Sequence, residues 1–182
     1  MGRTFGDISP EIAQFIAEQP MFFVATAPSD GGHVNVSPKG LGAVTVLSPE
    51  EVAYLDLTGS GVETIAHLRQ NARITLMFCA FADKPNIVRV YGHGEAIPVH
   101  DARAAPLLSH FPSTPGARTV VRIDVDRVST SCGYGVPILR HERDRDQLIT
   151  WAEHKGPDGL TTYPSDTNAT SIDGLPGLDL SP

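Results

Sequence analysis

The chain has little with which to staple itself, span a membrane or bind a polyanion. It has two cysteines in 182 residues, Cys79 and Cys132, far apart in sequence. That excludes a disulfide framework and a zinc knuckle, and both thiols are expected to be reduced. No apolar run approaches the roughly 20 residues that cross a bilayer. The opening MGRTFGDISPE has no apolar stretch of signal-peptide type, so the expectation is a cytoplasmic chain with no membrane partner. Basic residues are scarce: 14 Lys and Arg against 21 Asp and Glu give a net charge of −7. A nucleic-acid backbone needs a dense basic face and is excluded as the main partner. One phosphate group is not excluded, because a few well-placed donors and a cation suffice. The seven histidines include no HxxxH or HxH pair, so no metal site is expected. No internal repeat and no acid–base pair is legible.

What is present is a globular balance, with 41% apolar and 19% charged residues in a length that suits one domain with a real core. Ser9-Pro10-Glu11 opens a helix with a capping hydroxyl, a first-turn proline and an acid at the positive end of the dipole. Ile12, Phe15 and Ile16 give it one apolar face, and Gln19-Pro20 ends it. Residues 21–28 and 33–38, joined by Ser29-Asp30-Gly31-Gly32, read as a hairpin. AVTVL at 43–47 and EVAYLDL at 51–57 continue the sheet. TGSGVETIAHLRQNAR at 58–73 switches to helical spacing, with Val62, Ile65, Ala66 and Leu68 as core candidates and Ser60 and Glu63 as an expected capping box. ITLMFCAF at 74–81 is almost continuously apolar, which predicts burial on both faces. Asp83-Lys84-Pro85-Asn86 turns into IVRVYGHGEAI at 87–97, residues 101–110 read as a short helix, and residues 117–131 alternate most clearly of all.

Strands joined mainly by turns favour an antiparallel barrel over a doubly wound sheet. The expected fold is mainly β, of the α+β kind: a six- or seven-stranded antiparallel split barrel with peripheral helices. Residues 140–155 read as a charged helix whose large apolar residues are Leu148, Ile149 and Trp151, with RHERDRD as a solvated face. Residues 156–182 contain four aspartates and no lysine or arginine, and are expected to be extended, packed across a surface or partly disordered. Cys132 reads as a small buried residue at a strand end rather than a reactive thiol. Asn168-Ala169-Thr170 matches a glycosylation sequon, which carries no weight without a secretory leader.

Two stretches stand out for function. NVSPKG ends a strand in the lone Lys39, and LDLTGSGVET runs a strand into a helix start. A strand, a Gly-rich turn and a helix N-terminus present unpaired backbone N–H groups that attract phosphate. Thr58, Ser60 and Thr64 add hydroxyls, and Lys39 adds charge if its strand lies alongside. The same residues also serve an ordinary helix start and a solvated lysine, and Glu63 repels a phosphate unless it turns onto the cap.

The order VNVSPKG, VAYLDLTGSGVETIAHLRQNARITLMFCAF and KPNIVRVYGHGEAI resembles the pyridoxamine 5′-phosphate oxidase-like family of FMN-binding split barrels, over roughly residues 15–130. SCGYGVP at 131–137 and NATSIDGLPGL at 168–178 resemble an uncharacterised subgroup of it. The resemblance implies an FMN-binding split-barrel domain over 1–135, and a C-terminal helix and acidic tail over 136–182 packing on the barrel or a partner. It further implies a homodimer whose two FMN sites are each built from both chains. On that reading Val36, Ser37, Pro38 and Lys39 line the flavin and reach its phosphate, Thr58, Gly59, Ser60 and Thr64 complete the cradle, and Arg89 of VRVYG matches a family strand near the flavin, although it equally suits a pair with an acid across the sheet. Tyr134 and Trp151 suit either covering a flavin ring from the partner subunit or packing in the core or a dimer. Arg73 of NAR is expected to be structural. The implied activity is an FMN-dependent oxidoreductase acting on an unidentified small molecule, with NAD(P)H as one candidate donor. F420 is the alternative cofactor, and a flavin, F420 or haem carrier without turnover is the alternative function. The chain departs from the true oxidases in lacking an arginine before the strand-end lysine and an Arg–Lys pair within Gly61–Thr64. Arg140-His141 does not reproduce the substrate-binding arginine and histidine. Oxidation of vitamin B6 is therefore not expected.

Overall fold

The computed structural model describes residues 2–82 and 84–178; Asp83 of the expected turn and residues 179–182 of the expected tail lie outside the described residues. In chain order the elements are β1 (Arg3–Phe5), α1 (Pro10–Ala17), β2 (Phe22–Thr26), β3 (Asn35–Lys39), β4 (Val44–Ser48), β5 (Glu51–Leu57), α2 (Glu63–Asn71), β6 (Arg73–Cys79), β7 (Ile87–Pro98), α3 (Ala104–Leu108), β8 (Ala117–Ser131) and α4 (Gln147–Thr167). The strands form one 8-stranded antiparallel sheet in the order β3-β2-β6-β7-β8-β5-β4, with β1 paired to β8. The expected strands are all present. β1 is the addition, a three-residue pairing too short to leave a periodic signal.

Alternation puts Phe22, Val24, Val52, Tyr54, Leu76, Phe78, Val88, Val90, Val121 and Ile123 on the inner face, where all are buried. The Phe22 ring meets Phe78 at 5.4 Å and Tyr54 at 5.7 Å. Phe22 and Tyr54 belong to strands separated by three others in the sheet, so their contact means that the sheet is rolled upon itself. Ile12 and Ile16 of α1 join this core, and α3 covers a second cluster around Leu55, Phe111 and Val120. A bulge between Tyr91 and Gly92 bends β7 across β8. Gly92 is required there, because a Cβ at that position would lie 2.1 Å from the Asp124 carbonyl oxygen.

Five local expectations are corrected. In β6, burial alternates, and Thr75 and Met77 on the outer face are only half-buried. The cap of α2 is Val62 rather than Ser60, and its N–H donates to Glu63 Oε2 at 3.0 Å. The charged stretch 140–146 is irregular, so α4 begins at Gln147, because RHERDRD offers no apolar stripe to bury. Residues 157–167, expected to be extended or disordered, are helical: α4 turns at Gly156 (φ 66°) and continues to Thr167. Edge-to-face contact of Trp151 with Tyr163 at 5.0 Å holds its two parts together. Cys132 is exposed, whereas Cys79 is buried.

Candidate functional site

The β2–β3 register pairs Phe22 with Lys39 and Val24 with Ser37, so Asn35, Ser37 and Lys39 face inward while Val36 and Pro38 face outward. Strand β5 brings Asp56 to the same interior face as Tyr54, beside Thr119 of β8. Lys39 therefore meets a carboxylate. Its Nζ donates to Asp56 Oδ1 at 2.6 Å, and Arg118 Nε donates to Asp56 Oδ2 at 2.7 Å. Asp56 is almost wholly buried, with 3% of its side chain exposed. Burial alone would push its carboxyl up, but Lys39 and Arg118 outweigh burial and hold it below the ordinary carboxylate range.

Beyond β5 the chain makes the turn Thr58-Gly59-Ser60-Gly61 before α2. Thr58 N–H donates to the Gly116 carbonyl at 2.7 Å. Among the described residues, the N–H groups of Gly59, Ser60 and Gly61 have no protein acceptor. Their carbonyls behave differently: Gly59 accepts from Asn168 Nδ2 at 3.0 Å and Gly61 accepts from Arg118 Nη2 at 2.8 Å. Glu63, the carboxylate that threatened repulsion, accepts from Val62 N–H through Oε2 and from Ile172 N–H through Oε1 at 3.2 Å. Its charge is spent on backbone donors.

A cleft of about 250 Å³ lies between these parts, lined by Ser37, Pro38, Lys39, Asp56, Thr58, Gly59, Gly61, Glu63, Thr64 and Arg118 among others. It adjoins a larger groove of about 1310 Å³, with Pro38, Lys39, Gly40, Leu41 and Leu148 common to both. The larger groove runs along α1 and beneath the irregular segment around Leu139–Arg145.

Of the sequence-derived candidates, Ser37, Pro38, Lys39, Thr58, Gly59 and Thr64 thus converge on one cleft. Ser60 is exposed on the turn between its two glycines. Val36 is 59% exposed on the outer face and Tyr134 is 82% exposed; neither lines the cleft. Arg89 also lies outside it, donating to Ser131 Oγ at 3.2 Å. Pairing places Arg89 opposite Met77, Met77 opposite Phe23 and Phe23 opposite Pro38, so Arg89 and Pro38 share one row on the outer face. The N–H of Arg73 donates to Asn71 Oδ1, and its guanidinium reaches the Pro28 carbonyl. Asp56, Arg118 and Asn168 were missed. Asp56 hides as an ordinary polar residue in LDL and Arg118 as the polar start of a strand. An aspartate between two leucines in an otherwise buried strand was the signal available, since a buried carboxylate requires a partner.

An antiparallel sheet rolled into a split barrel, with a cationic strand end facing an unpaired Gly-rich turn, defines the class of small split-barrel domains. A family model for pyridoxamine 5′-phosphate oxidase matches residues 8–132, and the chain belongs to that family. The pyridoxamine 5′-phosphate oxidase family protein ustO of Aspergillus flavus is 42% identical over 191 residues, covering 96% of this chain and 77% of that protein. A putative pyridoxamine 5′-phosphate oxidase from Lactobacillus delbrueckii superposes with a TM-score of 0.55 at 26% identity, over 68% of this chain and 94% of that one. The FAD binding protein from Mycobacterium smegmatis shares the fold at a TM-score of 0.50 and 12% identity, over 70% of this chain and 93% of that one.

Proposed function

We propose that the chain is a flavoprotein that binds FMN through this cleft and serves as an oxidoreductase on a small organic molecule. The observation that carries the reading is a turn whose Gly59 and Gly61 line a cleft with two cations on one carboxylate, and whose Gly59, Ser60 and Gly61 N–H groups have no acceptor among the described residues. The donor set suits a phosphate monoester. Lys39 spends one of its three protons on Asp56 and keeps part of its side chain, 23%, open to solvent. Arg118 neutralises Asp56 from the other side, and Glu63 is turned onto backbone N–H groups. Thr58 and Thr64 line the same wall. The Arg–Lys pair of the true oxidases is absent from Gly61–Thr64, and Arg118 is the guanidinium that instead reaches Gly61 from β8.

The adjoining groove has an apolar floor of Ile12, Phe15, Met21, Leu41 and Phe81, which suits a planar ring and a small substrate. A bound flavin would supply the redox chemistry, accepting a hydride and passing electrons on. The chain's own part is to hold the phosphate, place Lys39 and Arg118 through their bonds to Asp56, and exclude water with the apolar floor. The ionisable side chains lining the cleft are Lys39, Asp56, Glu63 and Arg118, and each is engaged. That supports catalysis by placement, and it equally favours a second reading, a flavin carrier without turnover.

The outer face supports a homodimer, in line with the family. Val36 is exposed there, and Phe23, Thr75, Met77 and Arg89 are half-buried. A second copy covering this face would bring Val36, Pro38 and Arg89 into a shared site. Flavin content is tested by an absorption spectrum of the purified protein and mass analysis of the released chromophore. About one FMN per chain that NAD(P)H reduces and a substrate reoxidises is the expected result. FMN bound but never reduced favours the carrier. F420 or haem in its place, or a colourless chain that takes up none of the three, overturns the FMN reading.

A further inference from the structure

The C-terminal NATSIDGLPGL segment, which a cleft made by β3, β5 and α2 does not by itself require, is bonded to cleft residues through Asn168 and Ile172. Asn168 is fully buried. Its side-chain oxygen accepts from Arg118 Nη1 at 2.9 Å and its amide donates to the Gly59 carbonyl at 3.0 Å. Its backbone N–H bonds the Pro164 carbonyl and its carbonyl accepts from Leu178 N–H. Arg118, 10% exposed at its side chain, completes a fork: Nε to Asp56, Nη1 to Asn168 and Nη2 to the Gly61 carbonyl. One continuous chain of bonds thus runs from Lys39 through Asp56, Arg118 and Asn168 to Gly59.

The rest of the segment fixes Asn168. Gly177 is packed so closely that a Cβ there would lie 2.2 Å from the Asn168 carbonyl oxygen and 2.9 Å from the Val62 side chain. Ile172 N–H holds Glu63, Arg69 holds the Gly177 carbonyl, and Asp173 accepts from His33 N–H and bonds His33 Nδ1 across the β2–β3 loop. The helix end, where asparagine is usually solvated, here carries a buried amide aimed at the turn.

We propose that Asn168 and Arg118 are the positioning residues of the cleft: by holding the carbonyls of Gly59 and Gly61 they fix the turn so that its N–H groups stay available to an anionic group. The inference rests on the phosphate reading of the cleft. A Thr-Gly-Ser-Gly turn is otherwise entropically costly to order, and two carbonyls held by a buried fork remove that freedom before the ligand arrives. It follows that the C-terminal segment, outside the part matched by the family model, is part of the binding site.

The test uses the full chain as wild type, N168A and R118K, with FMN and riboflavin as paired probes in fluorescence titrations and thermal melts as the fold control. Riboflavin lacks the phosphate, so a defect confined to the cradle weakens FMN alone. R118K keeps the charge and a contact with Asp56 but cannot fork, which separates positioning from electrostatics. The expected result is a wild-type preference for FMN that falls about tenfold in both variants, with riboflavin affinity unchanged. A variant that melts like the wild type and keeps the full preference overturns the inference alone. A wild type that binds both flavins equally, or neither, overturns the phosphate reading and the inference with it. If N168A does not fold, R118K decides.

Discussion

Lys39 and Asp56 are seventeen residues apart in the chain, and their side chains meet at 2.6 Å inside the barrel. The lysine that ends β3 is thus first of all a counter-ion, and any anion in the cleft shares it with a carboxylate. Arg118 on the other oxygen makes that sharing possible, because Asp56 stays neutralised while Lys39 leans towards a ligand.

Removing the carboxylate is therefore worse than removing the lysine. Asp56→Asn leaves Lys39 and Arg118 facing each other across a buried position without a counter-charge, and should cost about 3 kcal/mol of stability. Urea denaturation of wild type and variant measures it. A loss within experimental error would mean that solvent already screens the pair.

Lys39→Ala leaves Arg118 on Asp56 and should spare the fold more than Asp56→Asn does. Its expected effect is on ligand affinity, a loss of about 1–3 kcal/mol for FMN from a missing charged hydrogen bond to phosphate. Calorimetric titration with FMN measures this. Unchanged FMN affinity would show that Asp56 is the lysine's sole partner.

The barrel was legible because its strands carry period-two apolar residues between Gly, Pro and Asp turns, and β7 and β8 are long enough for that signal to dominate. Of the residues lining the cleft, Lys39, Thr58 and Thr64 were candidates from local spacing, and Ser37, Pro38 and Gly59 from the family resemblance. Arg118 and Asn168 were not, because they lie 62 and 109 residues from Asp56 and Gly59, their partners in the folded chain. Tertiary contact assigns such residues their role, and no local pattern marks them. The cap of α2 failed for a related reason: Glu63 had a capping-box position, but the Ile172 N–H and the Val62 N–H compete for it and win over Ser60. The helical part of the tail was hidden by Gly156 and Pro157, which read as breakers and in fact mark a turn between two helical parts of α4.

His67 predicts a pH dependence. It is fully buried in α2, with Nδ1 at 2.9 Å from Thr26 Oγ1 and Nε2 without a partner among the described residues. Burial holds its pKa below the ordinary value of 6.5, with Asp173 and Glu63 opposing. The unfolded chain then takes up a proton that the folded chain refuses. Stability should be full above pH 6.5 and fall below it, approaching about 1.4 kcal/mol per pH unit for this one group. Asp56, held below the carboxylate range, stays ionised through that window and adds no slope. Urea unfolding at mildly alkaline and mildly acidic pH, in wild type and His67→Gln, checks this. A slope that survives the substitution must come from another group.

The outer face predicts an oligomer. Val36 stands opposite Ala25, Ala25 opposite Thr75 and Thr75 opposite Tyr91, a row of small, apolar and aromatic side chains on the face turned away from the core. At 59% exposure Val36 is available to a second copy. Val36→Glu buries an unpaired carboxylate if that face is covered, which should weaken a dimer by about 2 kcal/mol or more. It should leave the melting of the barrel itself nearly unchanged, because Val36 points away from the core. Sedimentation velocity over a range of concentrations measures the dissociation, and flavin content measured on the same samples tests whether the cofactor site is shared. Dimer and flavin lost together would mean that Val36, Pro38 and Arg89 act from the interface. A wild type that sediments as a monomer, with flavin bound, would confine the site to the Lys39 cleft of one chain.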